Sequence, residues 1–301
     1  MRFIDKFSAY KSKRLFYYSL IIPVIIIILL VLIYPLVHSF YISFFDLTLY
    51  KAAEAKFVGL KNYIDIMKSA SFWESMGRTA YFVLGTVIVE IILGLAIALV
   101  LNQKFIGRAV VRGLVLLPWA LPGVVNGVMW KWIYNANYGA LNALLSQLHI
   151  IDSYQIWLKD PFVALNLIMV ANIWKETPVV VIIILASFQT IPSELYEAAD
   201  IDGANPFSKF RWVTLPLITP VVATTFIIKA IWAVKEFDLI YMITRGGPQE
   251  GTTIINYFIY LQSFKFLKFS YGSATAYMVT ILVIVLAVVF VRRTVMQSVR
   301  E

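Results

Sequence analysis

Two runs of the chain place ionisable side chains in surroundings that do not suit them. In LNLIMVANIWKETPVVVIIILASF, which begins at Leu165, residues Asn172, Lys175, Glu176 and Val179 stand at i, i+3, i+4 and i+7. They therefore share one face of a helix. In IIKAIWAVKEFDLI, which begins at Ile227, Lys229, Trp232, Ala233 and Glu236 repeat that spacing. An ionised group at membrane depth costs at least about 2.5 kcal/mol, so it faces a polar interior or a partner of opposite charge. Two stripes, each with one cation and one anion, define either a wet cavity between two helices or a structural ion-pair lock.

Trp232 favours the cavity. Sugar rings have apolar faces and hydroxyl edges, which match an indole plate flanked by carboxylate and ammonium groups. A third stretch, LLPWALPGVVNGVMWKWIY from Leu116, carries Pro118 and Pro122, which break or kink a helix and free carbonyls that a cavity can use. Trp119 and Gly123, one turn apart, line that break or mark a packing kink with an interfacial Trp. Lys235 and Asp238 lie nearer a span end and snorkel. Glu90 is a lone acid in an apolar helix, best read as hydrogen-bonded to a neighbouring helix. His38 and His149 are far apart and near span ends. No phosphate-binding loop, dinucleotide fingerprint or HExxH occurs, so the chain is expected not to be an enzyme.

The elements that must hold these residues are membrane helices. The chain has 301 residues, 60% of them hydrophobic, and a net charge of +9. A soluble domain cannot hide that much apolar surface. Crossing the hydrocarbon core takes about 20 apolar residues. Six windows qualify: Phe16–Phe40, Ser75–Leu101, Ala109–Ile133, Pro161–Phe188, Val213–Tyr241 and Tyr271–Val291. The fold class is an all-α integral membrane bundle of six transmembrane helices. Arg2, Lys6, Lys11, Lys13 and Arg14 before the first span and Arg292, Arg293 and Arg300 after the last place both termini in the cytoplasm, and Lys104, Arg108 and Arg112 agree. Lys51, Lys56, Lys61 and Lys68 in the outer loops are offset by Glu54, Asp65 and Glu74. The first span is too long for a signal peptide and is expected to be retained. Cysteine is absent, which excludes thiol chemistry. The basic excess fits topology and anionic lipid, not nucleic acid.

Between spans four and five lies SELYEAADIDGANPFSKFRWVTLP, Ser193 to Pro216. Ser193 is expected to cap a short helix with Glu194 and Glu197 near its start, and Gly203 to stop it in a left-handed conformation. Asn205 caps again before Pro206. Ala198, Ala199 and Gly203 keep this elbow slim enough to enter a groove on another protein; the alternative is a solvated amphipathic loop.

The elbow resembles the EAA loop of ATP-binding-cassette importer permeases through Glu197-Ala198-Ala199, Asp202-Gly203-Ala204 and Leu215-Pro216. With LLPWALPGVV, NIWKETP, IPSELYEAADIDGA, FDLIYMITRGGP and YGSATAY, the chain is similar over most of Tyr81–Arg293 to carbohydrate-uptake permeases related to the maltose permease subunit MalF. The resemblance implies a MetI/MalF-like permease fold in the cell membrane. Its parts are a tail at 1–15, a first helix and outer segment at 16–74, a core at 75–291 with the coupling loop at 193–211, and a tail at 292–301. It implies a second permease subunit, a cytoplasmic ATPase dimer and an extracellular or periplasmic solute-binding protein as partners, with ATP and magnesium on the ATPase and no cofactor on this chain. Glu197, Ala198, Ala199, Asp202 and Gly203 would dock on the ATPase. Sugar contacts would fall on Trp119, Gly123, Asn172, Lys175, Glu176, Val179, Lys229, Trp232, Ala233 and Glu236. Asn172 keeps the family's amide and Trp232 its aromatic character, whereas charges replace mainly small or amide residues elsewhere, and the outer segment Tyr41–Glu74 is short. Lys175 and Lys229 balance Glu176 and Glu236, which fits a neutral oligosaccharide better than a phosphorylated solute. An ion-coupled secondary transporter using Glu90, Glu176 or Glu236 leaves the elbow unexplained; a receptor-like scaffold leaves the charged stripes unexplained.

Overall fold

The computed structural model describes residues 17–48 and 55–298. The basic N-terminal tail, Lys51, Glu54 and Arg300 lie outside the described residues, as does the side chain of Arg293. Two compact units divide the chain. One takes in residues through Lys68 together with Ile259–Met278; the other takes in Ser69–Phe258 and the chain from Val279 onward.

In the first unit, helix α1 (Tyr17–Ile42) is an apolar rod whose Leu, Ile and Val side chains are exposed, as suits contact with lipid. It ends in a two-stranded antiparallel ribbon, β1 (Phe45–Asp46) and β2 (Lys56–Phe57), with Phe45 opposite Phe57. The Asn62 side-chain amide, on helix α2 (Lys61–Lys68), ties the turn together by donating to the carbonyls of Ser43 and Phe45 at 2.8 Å each. Ser270 Oγ accepts from the Leu47 amide at 3.1 Å, anchoring the ribbon to the start of the last helix.

The second unit is built on a long parallel pair, in which Tyr81 meets Asn166 near one end and Gly94 meets Val180 nearer the other. Helix α3 (Ala70–Asn102) is capped by Ser69, whose Oγ accepts from the Phe72 amide. Its buried face runs Phe82, Thr86, Glu90, Gly94 and Ala98, one residue per turn. Helix α6 (Pro161–Phe188) packs along it, started by Pro161 and by Asp160 accepting from the Val163 amide. Gly94 permits the close approach, since a Cβ there would stand 2.5 Å from Val180 Cγ1. Ala98, Leu101, Val181, Ile184, Leu185, Phe188 and Ile218 complete an apolar core at that end.

The third predicted span is not one rod. It divides into α4 (Arg108–Ala120) and α5 (Gly123–Ile133), bent by 93° where Pro122 caps the second piece. Among the described residues, five helices are thus long and apolar enough to cross a membrane, and the bent pair makes six if it counts as one span. The fifth predicted span extends past both predicted ends, from Pro206 to Ile243, and is itself interrupted. A π turn at Phe210–Thr214 precedes α9 (Leu215–Val234), and a break at Lys235–Phe237 precedes α10 (Asp238–Ile243). The last helix, α11 (Phe269–Ser298), covers the sixth predicted window.

The elbow is two short helices at a turn: α7 (Ser193–Ile201) and α8 (Pro206–Lys209). Gly203 between them has φ +73°, and Asn205 Oδ1 accepts from the Ser208 amide at 2.8 Å. Ser193 does not cap. It is the first helical residue, and Pro192 takes the cap position without a side-chain bond, its ring already holding the extended conformation that a cap requires.

Candidate functional site

The charged stripes meet in a chain of contacts that ties three helices together. Lys229 Nζ on α9 lies 2.6 Å from Glu176 Oε2 on α6 and 3.3 Å from Glu90 Oε2 on α3. Glu176 Oε1 in turn accepts from Lys175 Nζ at 2.8 Å. Lys229 is 2% exposed and Glu90 1%, so this ion pair is sealed inside the protein. Such charges persist at membrane depth only because each has a partner of opposite sign. Nζ also lies 5.2 Å from the centre of the Trp232 ring, a cation–π contact that fixes the indole.

Glu236 is engaged elsewhere. Its Oε2 accepts from the Asn172 amide nitrogen at 3.1 Å, and its Oε1 accepts from the backbone amides of Phe237 and Leu239 at 3.1 and 3.0 Å. The carboxylate therefore satisfies the amides freed at the start of α10 and binds that break to α6. The equal spacing of the two stripes gives no hint that one acid would take a lysine and the other a helix end.

Several of the remaining predicted residues join this cluster, and others do not reach it. Ala233 is buried beside Lys229's turn, and Val179 is half-buried one turn beyond Glu176. Gly123 sits against Asp238: a Cβ there would collide with the Asp238 carboxylate, so the carboxylate lies against the bare backbone of α5 where α5 packs on α10. Gly127 repeats this one turn on, where a Cβ would stand 2.6 Å from Met242 Cβ. Asn126 on the same helix donates to the Ala171 carbonyl at 3.5 Å, bringing α5 to α6. Trp119, on the other side of the Pro122 break, is 48% exposed, and none of the cluster's hydrogen bonds or ion pairs involves it. Trp232 is 41% exposed, and the Lys175 side chain, paired with Glu176, is 19% exposed.

Two members were not singled out from sequence as site residues. Glu90 is one, although Thr86 and Gly94 four residues either side mark its face as the one that packs. Asp238 is the other; read as a snorkelling end residue, it instead faces the α5 glycine seam.

The elbow presents the opposite chemistry. Glu197, Ala198, Asp202 and Gly203 are exposed and Ala199 is half-buried. Tyr196 Oη and Thr214 Oγ1 hydrogen-bond at 2.9 Å, and Lys209 pairs with Asp200, so the elbow is a fixed piece joined to the start of α9. Ile201, Phe207 and Trp212 project from it at 88%, 75% and 73% exposure. Apolar side chains displayed this fully on a polar loop make a surface for a partner.

Broken helices around buried charges in a polytopic bundle are features of a membrane transport subunit. The family model described as the binding-protein-dependent transport system inner membrane component matches residues 90–301. The trehalose/maltose transport system permease protein MalF of Thermococcus litoralis is 38% identical over 279 residues, covering 91% of this chain and 92% of that protein. The sulfoquinovosyl glycerol transport system permease protein SmoG of Agrobacterium fabrum is 36% identical over 279 residues, covering 93% and 90%. Among solved structures, a chain of the bacterial alginate ABC transporter, crystallised in complex with an alginate pentasaccharide-bound periplasmic protein, matches with a TM-score of 0.80. It is 21% identical and 93% of each chain is covered. The chain belongs to the family of binding-protein-dependent transport system inner membrane components, as a multi-pass permease component of an ABC transporter in the cell membrane.

Proposed function

We propose that this chain forms half of the translocation path of an ATP-driven importer for a neutral oligosaccharide. The observation that carries the reading is the open Trp232 indole, fixed over Lys229 beside the charge lock, in a chain whose relatives are named for sugar-containing solutes. The open indole offers a stacking plate, and the partly exposed Lys175, on the facing stripe, offers a hydrogen-bond donor. The lock itself holds two carboxylates, Glu90 and Glu176, against two ammonium groups, Lys175 and Lys229. With no surplus cation, a phosphorylated or carboxylated solute is disfavoured.

On this reading the partners are a second permease, an ATPase dimer carrying ATP and magnesium, and a solute-binding protein that delivers the sugar. Both termini and the elbow face the cytoplasm. Glu197, Ala198, Ala199, Asp202 and Gly203 form the docking helix, with Ile201 and Phe207 entering the ATPase cleft. Support comes from the rigidity of the elbow and the apolar side chains that it leaves uncovered.

The test is reconstitution of the four-component complex in proteoliposomes. Uptake of labelled malto-oligosaccharide should require ATP on the elbow side and persist when a protonophore collapses the ion gradient. Uptake without ATP, driven by that gradient, would refute the reading. In the same assay Trp232→Ala should lower uptake about two- to twelvefold, the worth of roughly 0.5–1.5 kcal/mol of stacking, while Trp232→Phe retains most of it. Equal uptake by the alanine variant removes Trp232 from the path.

A further inference from the structure

We propose that the groove at the Leu101–Arg112 end of the second unit is a binding site for one anionic phospholipid, independent of which sugar is carried. The groove has a volume of about 320 Å³ and is walled by Val115, Leu116, Val181, Ile182 and Leu185, with Arg112 and Gln189 at its rim. The walls come from α4 and α6 and the rim from their ends nearest the elbow, so the groove runs from headgroup level toward the hydrocarbon.

Three features identify the occupant. Arg112 donates through Nη2 to the carbonyl of Leu101 at 3.2 Å, which pins the guanidinium at the end of α3, while its buried Nε–H has no acceptor. A phosphate oxygen is the strong acceptor that such a donor lacks. Lys104, Arg108 and Arg112 fall within Leu101–Val115 without a single acid, so the rim favours a headgroup carrying no ammonium of its own. Between the first two cations, Phe105 and Ile106 are exposed, Ile106 completely. Apolar side chains flanked by Lys and Arg on a short loop sit where headgroups meet acyl chains. Phosphate on Arg112 and an acyl chain along Ile182 and Leu185 satisfy the charged rim and the apolar wall together.

The experiment uses the intact purified complex, stripped of lipid in detergent and titrated with phosphatidylglycerol or phosphatidylcholine, with bound lipid counted by native mass spectrometry. Phosphatidylglycerol should be retained and phosphatidylcholine should not. Arg112→Gln should weaken phosphatidylglycerol retention about five- to tenfold, as expected for one basic residue at a headgroup, and Arg112→Lys should restore part of it. Ile182, 43% exposed, gives a second probe that leaves the rim intact: Ile182→Trp should fill the groove and expel the lipid. Retention unchanged in both variants, or equal retention of the two lipids, would overturn the proposal. So would a disulfide between Ile182→Cys and a cysteine in the second permease, which would make that subunit the cover.

Discussion

Replacing Lys229 by methionine is expected to destabilise the permease by about 3–5 kcal/mol, the cost of leaving a buried charge without its partner. Its side chain is enclosed between Glu176 at 2.6 Å and Glu90 at 3.3 Å, each on a different helix. With the ammonium gone, two carboxylates face each other at membrane depth. Glu176 still has Lys175, whereas Glu90 has nothing, since among the described residues Lys229 is its one ion-pair partner. Adding Glu90→Gln to Lys229→Met should therefore recover most of the loss, and Glu90→Gln alone should cost less than Lys229→Met alone. Thermal unfolding of the purified complex measures the set as a double-mutant cycle. A Lys229→Met protein as stable as the parent would show that the lock contributes nothing. If the double variant regains stability and still carries the same sugars, Lys229 holds the helices and does not touch the solute.

Gly203→Val is expected to leave the protein in the membrane and to cut sugar-stimulated ATP hydrolysis by about five- to 150-fold. The glycine has φ +73°, and no atom lies within 4 Å of where a Cβ would stand, so space does not limit the substitution. The backbone does. A β-branched residue resists the left-handed region at a cost on the order of 1–3 kcal/mol, and a coupling free energy of that size corresponds to the stated range of rates. Gly203→Asn, which tolerates that region, should keep most of the stimulation. Glu197→Lys should lose it through reversed charge alone, with the elbow's shape unchanged. Basal ATP hydrolysis should stay near the parent value in all three. Full stimulation in both Gly203→Val and Glu197→Lys would make the elbow an ordinary loop.

The legible part of this protein is local. Apolar runs of bilayer length, proline and glycine at chain breaks, and Asn205-Pro206 at a helix start each act through a few neighbouring residues, so the spans and the elbow can be read in order along the chain. The helical faces are legible for the same reason: a period near four residues puts Asn172 with Glu176, and Lys229 with Ala233. The partners across faces are not. Glu90 joins the site because Gly94 lets α3 approach α6, and that approach depends on the shape of Val180 opposite. Glu236 turned from the lysines to Asn172 and two backbone amides because α9 breaks at Lys235–Phe237 and exposes unpaired N–H groups within reach. Pro122 announces a break but not its 93° angle, which the α5–α10 seam of Gly123 against Asp238 and Gly127 against Met242 accommodates. Hydrophobic periodicity specifies which side of a helix avoids lipid. Which buried charge meets which depends on distances between helices, and those are decided by side-chain packing between residues far apart in the chain.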